Sequence, residues 1–215
     1  MGSKIEVHLN HLIDRYSKLT VCREDIIKAY GLLEEAYSNG RKLLVCGNGG
    51  SASDSEHIVG ELMKEFKLKR KVYGDHAAVL KEIDPDLGQI LAEHLQGALP
   101  AISLTGHSSL QTAYMNDAVP ELVFAQQVNG YGKPGDVFLG ISTSGNSKNV
   151  LYAAVNAKAK GLKVIGLTGA KENKLMKYAD VCIRVPETET YKIQELHLPV
   201  YHCLCLMLED KFFGV

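Results

Sequence analysis

Five short apolar runs constrain the fold of this chain more tightly than any other feature. They are KLLVCG (42–47), LPAISLTG (99–106), DVFLGIS (136–142), KVIGLTG (163–169) and VCIRVP (181–186). Each is too short for a core helix, and several are rich in Val and Ile. Between them lie amphipathic stretches of helical length. Strand and helix in alternation specify an α/β chain whose mostly parallel sheet is covered on both faces. In such a sheet, ligands bind beyond the carboxyl ends of the strands. Chemistry is therefore expected in the loops after Cys46, Leu104, Ile141 and Leu167.

The remaining segments fill in this plan. Residues 4–38 carry helical periodicity, with a break near Thr20 or Cys22 and an end at Asn39-Gly40. A single domain over 1–215 is expected, with N-terminal helices over 1–40 and an inserted segment over 67–97. That segment begins basic (KLKRK) and carries a helix from about Asp86 to Gln96. The apolar helix over 193–208 reads as exposed and in need of a partner surface, which argues against a monomer.

Twenty-four basic side chains against 25 acidic ones give a formal charge of -1. That balance offers no footprint for nucleic acid or an anionic membrane, so any bound phosphate must be held locally. No apolar run is long enough to span a bilayer, and the N-terminus lacks the apolar core of a secretory signal. Five cysteines without a CxxC pair sit mostly in apolar runs. They read as buried free thiols in a reducing compartment, so a cytoplasmic location is expected.

Two of the loops have the composition of anion sites. Gly47-Asn48-Gly49-Gly50-Ser51 joins a strand to a helix. Its glycines free several N–H groups to face one anion, and the helix N-terminus adds partial positive charge. Ser142-Thr143-Ser144-Gly145-Asn146-Ser147 packs four hydroxyl residues into six positions without a Lys or Arg. That suits a phosphate monoester held by backbone and hydroxyl donors. Each loop also reads as an ordinary strand-to-helix turn, with Ser147 or Asn146 as N-cap. Neither matches a P-loop or a dinucleotide fingerprint, so no nucleotide cofactor is expected.

Acid–base candidates flank the loops. His57 and Glu61 are four apart and share a helix face. Gln194, His197 and His202 fall on a second helix, where Pro199 is expected to kink the helix or shift their alignment. A carboxylate and an imidazole beside a phosphate anchor are what an aldose–ketose isomerisation requires. The same groups read singly as solvated or core residues, and His-x3-Glu also suits a pair of metal ligands.

Together, CGNGGSASDSEH…GE (46–61), NDA with LVFAQQV downstream (116–128), GDVFLGISTSGNSKNV (135–150), VIGLTG (164–169) and IQELHLPVYH (193–202) resemble the phosphoheptose isomerase family. The match covers nearly the whole chain apart from about 67–97. It implies a three-layer SIS-type fold with a five-stranded parallel sheet flanked by helices, plus an N-terminal helical pair. It also implies a homotetramer with active sites between subunits. The implied reaction converts sedoheptulose 7-phosphate to D-glycero-D-manno-heptose 7-phosphate through an enediol.

By the same resemblance Glu61 and His202 are catalytic. Asn48, Gly49, Gly50, Ser51, Asp117, Ser142, Thr143, Ser144, Ser147 and Gln194 bind substrate. Some family members bind zinc, which would fall to His57, Glu61, Gln194 and His202, one ion per site. Two other classes share the fold: phosphosugar- or replication-initiator-binding proteins without catalysis, and isomerases of another ketose phosphate. The Glu61/His202 pair argues against the first. Three departures from the family pattern stand out: Glu65 in place of a basic residue, Tyr191 in place of an acidic one, and the length of 67–97.

Overall fold

The computed structural model describes residues 3–72 and 74–214, and all five apolar runs form strands. These are β1 (Leu43–Cys46), β2 (Ala101–Ser103), β3 (Val137–Ile141), β4 (Lys163–Gly169) and β5 (Val181–Val185). They make one sheet in the order β2-β1-β3-β4-β5, with every pair parallel. The helices, in chain order, are α1 (Ser3–Arg15), α2 (Arg23–Ser38), α3 (Gly50–Met63), α4 (Asp75–Ile83), α5 (Pro85–His94), α6 (Ser108–Asp117), α7 (Val123–Tyr131), α8 (Lys148–Ala159) and α9 (Thr190–Phe213). A 3-10 turn over Ser17–Cys22 joins α1 to α2, at the break expected from the sequence.

Successive strand residues point to opposite faces, so each run feeds two cores. Leu43 and Val45 meet Leu9 of α1, Ile26 and Leu33 of α2, Ile58 of α3 and Val200 of α9 on one face. Leu44, Phe138 and Val164 meet Val128 of α7 and Val150 and Ala154 of α8 on the other. Both faces being covered explains why the runs are continuously apolar rather than alternating. This topology also positions the site. β1 and β3 are neighbours, yet α3 leaves β1 toward the first face and α8 leaves β3 toward the second. The chain diverges between the two strand ends and leaves a crevice there, at the topological switch point.

Two expectations need correction. The apolar helix over 193–208 is not exposed: Ile193, Val200, Cys203, Leu204, Cys205, Met207 and Leu208 of α9 are buried within the chain's own core. A helix apolar on most sides is a core helix, and α1, α2 and α3 cover this one. Pro199 lies inside this helix, which spans Thr190–Phe213. The segment 67–97 holds two helices where the sequence suggested one. The α5 start is well marked, because the Asp84 side chain accepts hydrogen bonds from the Asp86 and Leu87 N–H groups, with Pro85 in the first turn. The helix before it, α4, has no side-chain cap and no buried residue.

The α4–α5 pair leaves Val79, Ile83, Leu87, Ile90, Leu91 and Leu95 exposed. The largest run of exposed apolar side chains on neighbouring helices therefore lies there, while α9 exposes only Tyr191 and Leu198 among its large apolar residues. All five cysteines are free, and burial pushes the Cys203 thiol up to about 12 and Cys46 and Cys205 higher still.

His197 of α9 is fully buried, and among the described residues neither ring nitrogen has a hydrogen-bond partner. Burial holds its pKa down at about 4; the nearby Thr168 backbone offsets this only slightly. It is thus a core residue, neutral when folded, that binds a proton near pH 6.5 when unfolded. The unfolded state binds more protons between those values. The contribution of His197 to stability is therefore full above pH 6.5 and is lost as pH falls toward 4. Denaturant titrations over this range should show a loss of about 3 kcal/mol from this residue. His197→Leu should flatten that part of the profile; an unchanged slope would contradict the assignment.

Candidate active site

The two hydroxyl- and glycine-rich loops meet at the crevice between β1 and β3. Gly49 has φ +57° and ψ −123°, a backbone region open only to glycine. It turns the chain so that Ser51 enters the first turn of α3, where it is buried. Asn48 exchanges two amide hydrogen bonds with Asn149 of α8: its Nδ2 donates at 3.0 Å, and Asn149 Nδ2 donates back at 2.8 Å. This reciprocal pair ties the loop after β1 to the loop after β3. Asn149 escaped the sequence reading, since an Asn in the first turn of a helix resembles any capping residue. Ser142 is buried and its Oγ lies 3.1 Å from Ser147 Oγ. Thr143 and Ser144 face a small cleft of about 170 Å³, which Gly169, Ala170 and Lys171 also line. Ser144, Ser147 and several N–H groups of this turn thus present donors at the start of a helix, the arrangement that binds a phosphate group.

Along α3 the site continues away from the loops. The carboxamide of Gln194 packs directly on Gly50: a Cβ there would sit 2.5 Å from Gln194 Nε2. About two turns further on, His57 meets Tyr201 and His202. The two helices therefore run side by side in the same direction. His57 Nε2 is 3.2 Å from Glu61 Oε1 and 3.5 Å from His202 Nε2, while Glu61 Oε2 is 3.5 Å from Lys64 Nζ. The predicted catalytic pair and the predicted His57 are thus one cluster. Phe66 flanks His202 at 5.4 Å between ring centroids, and a groove of about 700 Å³ opens beside them between α1 and α9. Asp117 ends α6 in an exposed position, and among the described residues its side chain is bonded only by its neighbour Asn116. Of the departures noted in the sequence, Glu65 pairs with Lys69 at 2.8 Å and Tyr191 is exposed.

Hydrogen bonding sets the state of His57. Tyr201 Oη donates to Asp54 Oδ1 at 3.2 Å, so it accepts from His57 Nδ1 at 3.0 Å. A neutral His57 then carries its proton on Nδ1 and turns the Nε2 lone pair toward Glu61. A lone pair facing a carboxylate is favourable only with a cation between them, either a proton on Nε2 or a metal ion. Burial raises the Asp54 pKa, an effect that the Tyr201 hydrogen bond and His57 oppose. Burial also lowers the His202 pKa, with His57 adding to the effect and Glu61 opposing it. His202 is accordingly a neutral imidazole near pH 7, able to take or give a proton. Neither Tyr201 nor Asp54 stood out in the sequence, where both look like ordinary helix residues.

This cluster bears on zinc. Donors at about 2.0–2.1 Å from a tetrahedral zinc lie about 3.3 Å from one another. The His57–Glu61 and His202–His57 separations of 3.2 and 3.5 Å match that edge. The Tyr201 bond to Nδ1 orients the ring as a metal-bound histidine requires. The donor chemistry and both edges therefore suit zinc. Among the described residues, though, no three His, Cys, Asp or Glu side chains close on a single point, and Gln194 lies against Gly50.

Comparison with known proteins places these residues in context. The family model described as SIS domain matches residues 73–169. A phosphoheptose isomerase from Rhodospirillum rubrum is 38% identical, with 98% of each chain aligned. Two solved structures share the fold and much of the sequence. The phosphoheptose isomerase from Francisella tularensis superposes with a TM-score of 0.75 at 30% identity, over 98% of this chain and 100% of that one. The enzyme from Neisseria gonorrhoeae gives 0.70 at 31% identity, over 94% of both.

Tyr201→Phe should remove one hydroxyl and orphan two groups, Asp54 and His57 Nδ1. We expect a stability loss of about 1–3 kcal/mol in denaturant unfolding. The His57 ring should also lose its preference for the Nδ1–H tautomer by nitrogen NMR. A variant as stable as the parent, with an unchanged tautomer, would rule out the chain of bonds described here.

Proposed function

The chain belongs to the phosphoheptose isomerase family of SIS-domain proteins, and from that premise we propose that it interconverts sedoheptulose 7-phosphate and D-glycero-D-manno-heptose 7-phosphate. The observation that carries this reading is the spacing along α3. The anion loop lies at the N-terminus of the helix and the Glu61/His57/His202 cluster lies further along it. At 1.5 Å per residue, Ser51 and the His57–Glu61 turn are roughly 9–15 Å apart. A heptulose phosphate has seven bonds between phosphorus and C2. By ordinary bond geometry that chain extends roughly 9 Å. A sugar phosphate of this length reaches from the loops to the cluster with its C1–C2 end, which favours a long ketose over a short one.

The reaction then needs one base and one proton carrier. With the phosphate held by Ser51, Ser142, Thr143, Ser144 and Ser147 and by loop N–H groups, the open-chain ketose presents C1 to Glu61. The Glu61 carboxylate removes a C1 proton, the electron pair forms the C1–C2 double bond, and the C2 carbonyl oxygen gains a proton from His202. The enediol then loses its O1 proton to His202 as Glu61 returns the carbon-bound proton to C2. C1 becomes the aldehyde and C2 the carbinol, with no net gain or loss of atoms. A neutral His202 can serve both oxygens in turn. His57, Glu61, His202 and Gln194 are the residues that would hold zinc, which when bound polarises carbonyl and hydroxyl oxygens.

Two further parts of the reading rest on surface and thiols. We assign the enzyme to a homotetramer with active sites between subunits. The exposed apolar residues of α4 and α5, and Leu110 and Met115 of α6, support a partner surface there. The five free thiols support a cytoplasmic location, and no described helix is long and apolar enough to cross a membrane.

Glu61→Gln should lower kcat by roughly 10²–10⁴-fold while the fold and phosphate binding persist. NMR of the products from sedoheptulose 7-phosphate, fructose 6-phosphate and ribulose 5-phosphate tests both base and substrate. A fully active variant would refute the base, and turnover of a shorter ketose alone would refute the substrate. Running the same panel after chelation tests the metal: activity should fall and return with added zinc. Undiminished turnover by metal-free protein would exclude a zinc requirement.

A further inference from the structure

The last turn of α3 carries Glu61, and a buried ion pair from outside the site holds that turn in place. The helix ends at Met63, and Lys64 is already extended (φ −137°, ψ 176°). The final carbonyls of a helix have no partner within it. The Glu65 N–H, which would reach the Glu61 carbonyl in a longer helix, donates to Gln96 Oε1 at 2.8 Å instead. Arg70 fills the gap. Its guanidinium donates to the Glu61 carbonyl at 3.0 Å and to the Leu62 carbonyl at 2.8 Å. Its charge also sits where the helix dipole is negative.

Arg70 is itself held. Its Nε donates to Glu209 Oε1 at 2.8 Å, and both side chains are essentially inaccessible. The same Glu209 carboxylate accepts from the Phe66, Lys67 and Leu68 N–H groups at 2.9, 2.9 and 3.1 Å. Phe213 stacks on the guanidinium at 4.7 Å. A buried carboxylate with four donors is fully satisfied, so the pair is rigid. It anchors the turn that aims the base and also the segment that carries Phe66, which flanks His202.

We infer that the Arg70–Glu209 pair positions Glu61 for proton transfer, acting on it through its backbone carbonyl. Neither residue touches the loops, so the pair governs the chemical step and not the grip on phosphate. The inference rests on the isomerase reading above. A displacement of the base by about 1 Å costs on the order of 100-fold in rate.

The test uses the full-length enzyme with sedoheptulose 7-phosphate. Arg70→Lys keeps the charge and loses the two-pronged contact. Arg70→Met combined with Glu209→Gln removes both charges together and keeps an acceptor for the N–H groups. Cooperative melting first establishes that each variant folds. We expect kcat to fall roughly 10- to 100-fold, with KM within about threefold of the parent and the double variant more affected than Arg70→Lys. A folded variant with parental kcat overturns the inference, as does a loss that appears only in KM. Failure of both variants to fold would make the pair a requirement for folding and overturn it equally. A parent enzyme inactive on every ketose phosphate would instead sink the isomerase reading, which keeps the two failures distinct.

Discussion

The contact between α3 and α9 is the interaction on which the rest of the site depends. Both helices leave carboxyl ends of the sheet on the same side and run in the same direction. Residues near their starts therefore meet near their starts, as Gly50 and Gln194 do, and later residues meet later, as His57 and His202 do. Gly50 permits the close approach, because a Cβ at that position would overlap the Gln194 carboxamide. Everything further along inherits its register from this contact. The arrangement brings two helix sequences, far apart in the chain, into one elongated seam with the glycine-rich loop at one end and the Glu61, His57 and His202 side chains along its length.

Two groups of polar side chains along this seam are joined by hydrogen bonds. Asp54, Tyr201 and His57 form a chain in which a single hydroxyl proton decides the tautomer of the ring. Two helical turns beyond, Glu209 accepts four hydrogen bonds from Arg70 and the backbone around Phe66. Removing either charge of that pair would strand the other in the interior, at a cost of about 3–5 kcal/mol. Burial near Glu61 also favours the neutral form of His202, which carries one N–H donor and one lone pair.

The α4–α5 hairpin follows different physics. Its helices have nine and ten residues, short enough to be marginal alone, and none of its large apolar side chains is buried. Yet its base is fastened: Lys71 bridges to Gln96, and the Gly97 N–H donates to the Arg70 carbonyl at 2.6 Å. The hairpin therefore springs from the same residue that caps the last turn of α3.

How much of this was legible in the chain depends on the range of the interaction. The five strands were readable because short Val- and Ile-rich runs cannot bury themselves as helices, and the two loops because clustered Gly and Ser have few other uses. Glu61, His57 and His202 could be singled out by spacing on their helices and by family resemblance. The reversal of α3 and α8 across β1 and β3, the burial of α9 and the existence of α4 were not readable. The apolar residues of α9 look the same whether they face the chain's own core or a partner. Asn149, Tyr201, Asp54, Arg70 and Glu209 were equally silent, since each acts through partners distant in sequence, up to 147 residues away for Tyr201 and Asp54. Local propensity and hydrophobic period thus determined which segments are strands, loops and most of the helices. Only tertiary packing decided which side chains face one another, because that is set by close approach and the pairing of buried charge.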